Sequence, residues 1–102
     1  MYGTIARIKA KTGQEKAIVG LMDEWSKSRA PKVKGAVAGY LYKLDKKPGE
    51  YMMVAVFQDK ATYTANAQDP QQDAWYRKVR ALLESDPVWE DGEIIQGGNV
   101  TR

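Results

Sequence analysis

Residues 35–58 read GAVAGYLYKLDKKPGEYMMVAVFQ. Two apolar runs, 35–44 and 50–58, flank the segment Asp45-Lys46-Lys47-Pro48-Gly49. Pro presets the backbone angle of a turn, and Gly accepts the positive φ that many turns require. Two β-prone runs joined by a short loop of this kind pair as an antiparallel hairpin. The hairpin lies in the middle of the chain, so the fold depends on what flanks it.

Upstream, residues 2–10 alternate. Thr4, Ala6 and Ile8 point one way, and Gly3, Ile5, Arg7 and Lys9 the other, which predicts a strand. Thr12-Gly13-Gln14-Glu15 fits a capping box, with Thr12 as N-cap and Glu15 reaching back to it. A helix is expected from there to about Ser28, with Ile18, Leu21, Met22 and Trp25 on one stripe. Ala30-Pro31 should end it, because the residue before Pro avoids the helical region. Downstream, Asp59 suits the cap of a short helical piece, and Asp69-Pro70 suits the cap and first turn of a second main helix running to about Ser85. Asp86-Pro87 should stop that helix. A last strand is expected near 92–96, with 97–102 as a tail. The order is β-α-β-β-α-β. It predicts one ferredoxin-like α+β domain over 1–102, a four-stranded antiparallel sheet with two main helices on one face.

The helices cover one face only, yet the strands are apolar on both. Residues 50–58 set Tyr51, Met53, Ala55 and Phe57 against Met52, Val54 and Val56. The preceding strand sets Val37, Gly39 and Leu41 against Ala38, Tyr40 and Tyr42, and Ile94 and Ile95 fall on opposite faces of the last. A sheet with one wet face alternates apolar with polar residues. A homodimer packed sheet to sheet is therefore expected. The alternative is a monomer whose second face is covered by its own tail.

Composition narrows the chemistry. The net charge of +3 is spread over scattered Lys and Arg, with no aromatic-basic strand motif, so nucleic acid is not an expected partner. The chain has no Cys and no His. That removes disulfides, thiol nucleophiles, Ser-His-Asp catalysis and nearly all zinc chemistry. The carboxylates of WEDGE, residues 89–93, lack a further ligand in view, and Asp91-Gly92 reads as a turn, so no metal is expected. No apolar signal segment opens the sequence and no window would span a membrane. A cytoplasmic protein is expected.

Three segments carry a resemblance to a known family. They are ARIKAKTGQEKAI at 6–18, YMMVAVFQDKATYTANAQDP at 51–70 and DAWYRKVRALLESDPVWEDGEI at 73–94. In order and spacing the chain resembles the antibiotic biosynthesis monooxygenase family of dimeric α/β barrels. The resemblance implies homodimers whose sheets close into a barrel, and a ligand pocket in each subunit between sheet and helices. Some members are cofactor-independent oxygenases of quinols or polycyclic anthrones, others degrade haem, and many have no established activity. The haem-degrading branch uses an Asn on the first strand and an iron-ligating His. This chain has neither, so haem oxygenation is not expected.

Oxygenation without a cofactor needs an apolar pocket, a few polar anchors and an ionisable substrate. The candidate substrate-binding residues are Trp25, Tyr63, Asn66, Trp75, Tyr76 and Arg7, with Tyr40 and Tyr42 beside them. Each has a plainer role open to it. The tryptophans suit the core, Asn66 a turn, Arg7 a solvated or interface position, and Tyr40 and Tyr42 a dimer face. On a helical wheel Trp75 sits inside an apolar arc with Val79, Leu82 and Leu83, Tyr76 at its edge, and Arg77 on the far, solvated side. No residue stands out as a catalytic base. The expected function is a cofactor-independent monooxygenase of a small aromatic quinol or anthrone. The alternative is a non-catalytic, ligand-binding or stress-associated barrel.

Overall fold

A computed structural model describes residues 1–100; Thr101 and Arg102 of the expected tail lie outside the described residues. The elements are β1 (Tyr2–Lys9), α1 (Glu15–Glu24), β2 (Ala36–Lys43), β3 (Glu50–Phe57), α2 (Lys60–Ala67), α3 (Pro70–Arg80) and β4 (Val88–Glu93). The sheet is antiparallel throughout, in the order β2-β3-β1-β4. This is the ferredoxin-like α+β arrangement expected from the element order. Residues 97–100 are exposed and carry no regular strand or helix.

Both helical starts near α2 and α3 follow their sequence signals. The Asp59 carboxylate accepts from the Thr62 N–H at 2.8 Å, and that of Asp69 from the Gln71 N–H at 2.8 Å, with Pro70 in the first turn. The expected capping box at Thr12 does not form. Gly13 takes a φ of +79°, the chain turns there, and α1 starts at Glu15 with no side-chain cap. Glu15 instead accepts a hydrogen bond from the Tyr51 hydroxyl at 2.8 Å and pairs with Lys43 at 2.9 Å. Those two partners hold its carboxyl below the usual carboxylate range.

Three boundaries differ from the sequence expectation. Helical winding does not stop at Ala30-Pro31. After α1 it widens into a π-helical turn over Trp25–Arg29, where the Ala30 N–H reaches back five residues to the Trp25 carbonyl, then tightens to a 3-10 turn over Ala30–Lys32. Pro31 fits because a first-turn residue needs no N–H. Second, α3 ends at Arg80, not near Ser85. The following segment binds the end of β1 instead, with Lys11 N–H to the Leu82 carbonyl and Glu84 N–H to the Lys9 carbonyl, both at 2.9 Å. Third, the last strand lies at Val88–Glu93, and Asp91-Gly92 pair within it against Thr4 and Gly3. The Ile94 N–H bonds to the Met1 carbonyl at 2.8 Å, just past the end of β4. Ile95 lies outside the sheet, 88% exposed.

The register sorts the two faces. Tyr2, Thr4, Ala6 and Ile8 of β1 lie on the helix side with Tyr51, Met53, Ala55 and Phe57 of β3. Leu41 and Gly39 join them opposite Met53 and Ala55. Val37 departs from the expected alternation: the register shifts between Ala36 and Ala38, and this bulge leaves Val37 exposed. The packed core is Ala6, Ile8, Ala10, Ile18, Tyr51, Met53, Val79 and Leu83. It lies toward the end where β1 leaves the sheet. The half near Thr4 and Phe57 is not filled in the same way.

Gly35 closes the entry to β2 at φ +84°, and a Cβ there would collide with the Thr62 side chain. Gly35→Ala is expected to destabilise the chain by about 1–3 kcal/mol, from the left-handed backbone and the clash together. Urea denaturation measures this, and a change within the error of the wild type would contradict the packing described.

Candidate functional site

The unfilled half of the sheet–helix gap is a cavity of about 500 Å³. Its floor is the helix side of β1, β2 and β3, including Thr4, Leu41, Met53, Ala55 and Phe57. Met22, Trp25 and Ser26 close one side, and Tyr63, Asn66, Gln72, Trp75 and Tyr76 the other. Trp89 and Asp91 of β4 complete the wall. Ligand pockets for small molecules span about 300–1,000 Å³ and are mostly apolar with a few polar anchors, which matches this cavity.

All three tryptophans of the chain line it. Trp25 leaves the last turn of α1 at the wide turn, and Trp75 faces it from α3, ring centroids 6.2 Å apart. Their indole N–H groups are held. Trp25 donates to Gln72 Oε1 at 2.7 Å, and Trp75 to the Leu21 carbonyl at 2.9 Å. These bonds fix the rings as walls. Tyr76 packs on Trp89 at 6.0 Å, and Tyr63 on Phe57 at 5.6 Å and on Tyr2 at 5.3 Å. Each pair lies in the range where tilted aromatic contacts are favourable.

Five of the six residues singled out from the sequence, Trp25, Tyr63, Asn66, Trp75 and Tyr76, lie on this cavity. Arg7 lies elsewhere. It projects from the opposite face of the sheet, where its guanidinium stands 3.5 Å from Glu50. Tyr40 and Tyr42 pair with Val54 and Met52 on that same open face, and Tyr40 and Val54 also border the cavity. Arg77 is solvated and pairs with Asp73 at 2.8 Å. Asn66 is tied through its Oδ1 to Arg29 at 3.3 Å, and Arg29 also donates to Gln71 Oε1 at 2.8 Å. Together they lock the wide turn after Trp25 to the α2–α3 corner.

Trp89, Asp91, Thr4 and Gln72 also line the cavity and are not among the substrate-binding candidates read from the sequence. Asp91-Gly92 reads as a turn, and the carboxylates of 89–93 suggest at most a metal site; only the pairing with β1 turns Trp89 and Asp91 toward the helices. The Tyr63 hydroxyl donates to Asp91 Oδ1 at 2.9 Å. Burial first, and then this carboxylate, push the Tyr63 phenol up to about 12, against the pull of Thr4 the other way. Tyr63 is therefore neutral throughout the ordinary pH range. Because the folded state holds the proton more tightly than the unfolded chain, this phenol costs stability only as pH rises from about 10 toward 12, and nothing below. Following phenolate absorbance on base titration should show a phase near 12 that Tyr63→Phe removes; its survival in the variant would refute the assignment.

No family model matches the chain, and no curated protein sequence matches it. The fold and cavity define the class: a ferredoxin-like α+β domain with a hollow, aromatic-walled half. Solved structures share that fold over nearly the whole chain. One is a "putative antibiotic biosynthesis monooxygenase" from Chloroflexus aurantiacus, with 18% identity, TM-score 0.77 and 98% of each chain covered. Another of the same description, from Caulobacter crescentus, has 12% identity and TM-score 0.82, covering 93% of this chain and 90% of that one. A protein of unknown function from Nitrosomonas europaea has 23% identity and TM-score 0.77, covering 99% and 95%. At these identities the likeness establishes a common fold, and the resemblance read from the sequence holds at that level.

Proposed function

We propose that the chain is a cytoplasmic homodimer that oxygenates a small quinol- or anthrone-like aromatic in this cavity, using O₂ and no cofactor. The observation that carries the reading is the cavity itself, a half-open, aromatic-walled space where the family resemblance puts a ligand pocket. The chemistry balances without a further reductant. In an anthrone the ring methylene, acidified by the carbonyl across the ring, gives up two hydrogens, one oxygen atom becomes the new carbonyl, and the other leaves as water; in a quinol a ring C–H is oxygenated instead, giving a hydroxyquinone and water. The protein's share is to hold the flat ring between Trp25, Trp75 and Tyr76 and to exclude water. Purified protein incubated with a reduced quinol or an anthrone should consume O₂ faster than buffer does. Equal rates would end the proposal.

The homodimer rests on the open sheet face. Ile5, Tyr40, Tyr42 and Val88 are 46%, 62%, 57% and 63% exposed in the single chain, beside Met52, Val54 and Val56. A contiguous apolar face of this kind is rarely left to water. Sedimentation equilibrium at micromolar protein should give twice the chain mass, and a clean monomer would refute it.

One observation favours a second reading, binding without turnover. The cavity lining contains no Lys or Arg, and the chain no His, to stabilise a phenolate. Bound ligand recovered unaltered after aerobic incubation would select this reading.

A further inference from the structure

The cavity is walled by aromatic faces yet carries charge of one sign only. Two carboxylates, Asp73 and Asp91, line it, and no basic side chain does. Asp73 is neutralised by Arg77 at 2.8 Å. Asp91 has no ion pair among the described residues. Its pairing with Thr4 places it on the helix side of β4, the side on which Trp89 packs against Tyr76 at 6.0 Å. Its Oδ1 takes the Tyr63 hydroxyl at 2.9 Å, which leaves Oδ2 for a further donor. The guanidinium of Arg29 is committed to Asn66, Gln71 and Asp69 at the α2–α3 corner, and that of Arg80 to Asp86.

The geometry points to Asp91 as a charge selector: the cavity takes a flat aromatic bearing a protonated amine in preference to a phenol, and rejects aromatic carboxylates. A cation set among Trp89, Tyr76 and Asp91 gains from the ring faces and from the carboxylate together. A carboxylate on the same ring meets a like charge and finds no basic partner. A hydroxyl gains one hydrogen bond and no Coulomb attraction. The inference goes beyond the quinol or anthrone of the proposed function, adding a protonated amine to the aromatic that the same cavity prefers, and it rests only on that cavity binding aromatics at all.

Isothermal titration calorimetry with three naphthalene probes of one size tests it. The probes are naphthylmethylamine as its ammonium, naphthol, and naphthoate. The ammonium should bind about tenfold tighter than naphthoate, with naphthol between them; Asp91 stands at an exposed edge, so a larger ratio is not expected. Asp91→Asn, which keeps size and shape, should shrink that ratio to about threefold or less. Naphthoate binding as tightly as the ammonium, or the ratio surviving in Asp91→Asn, would overturn the charge selection while leaving an aromatic-binding cavity standing. Failure of all three probes to bind would overturn both readings. The ligand series in the unaltered protein decides the matter even if the variant folds poorly.

Discussion

Phe57→Ala is expected to lower the unfolding free energy by about 3–5 kcal/mol. Phe57 ends β3, one of the two central strands, and is 2% exposed. It is paired on both sides, with Tyr2 of β1 and Ala36 of β2. Its ring meets the edge of Tyr63 at 5.6 Å. Removing it enlarges a space that the packed half of the molecule cannot reach to fill, so the lost contacts are not recovered by collapse. A chain of this length has about 5–15 kcal/mol in total, so the loss should show as a large drop in the denaturation midpoint. Phe57→Leu retains most of the buried area and should cost about 1.5 kcal/mol or less. A loss below about 1 kcal/mol for the alanine variant would mean that the ring packs against little.

Ala55→Phe should do the opposite, sparing the fold and removing the site. Ala55 points to the helix side between Thr4 and Gly39 and forms part of the cavity floor. A phenyl group there enters empty space, so the overpacking cost of a filled core does not apply in full. It would occupy the volume that an aromatic ligand needs, and affinity for any such ligand should fall on the order of a hundredfold, with thermal stability held or slightly raised. Calorimetry with a naphthalene probe, paired with thermal denaturation, separates the two effects. Unchanged affinity would place the ligand elsewhere, and a collapse of stability would show that the space is needed by the fold.

The sequence was legible where local chemistry and long-range packing agree. Asp59, Asp69 and Pro70 mark helix starts by interactions made within a few residues. The hairpin of β2 and β3 is announced by its turn and its two apolar runs. The misread boundaries share a cause: partners distant in sequence. Residues 82–84 bond to the end of β1 rather than continue α3. Asp91-Gly92 looks like a turn until β1 is laid beside it, and Ile94 and Ile95 look like a strand although the pairing with β1 closes at Glu93 opposite Tyr2. The same cause hid Trp89 and Asp91 from the site, whereas Trp25, Trp75 and Tyr76 were visible because a helical stripe declares its inward face. The wide turn at Trp25–Arg29 had no local signature at all; Pro31, read as a stop, is compatible with it.

One half of this molecule is packed and the other is hollow. Ile8, Ile18, Val79 and Leu83 are almost wholly buried at the filled end, while the tryptophans stand around the space at the other. Holding the chain together and shaping the hole thus fall largely to different residues. A wall side chain such as Ser26 or Tyr76, which lines the space without packing on the buried cluster, can be exchanged while the sheet and helices stay in place. In such a scaffold, new ligand preferences are reached by single steps that stability does not veto.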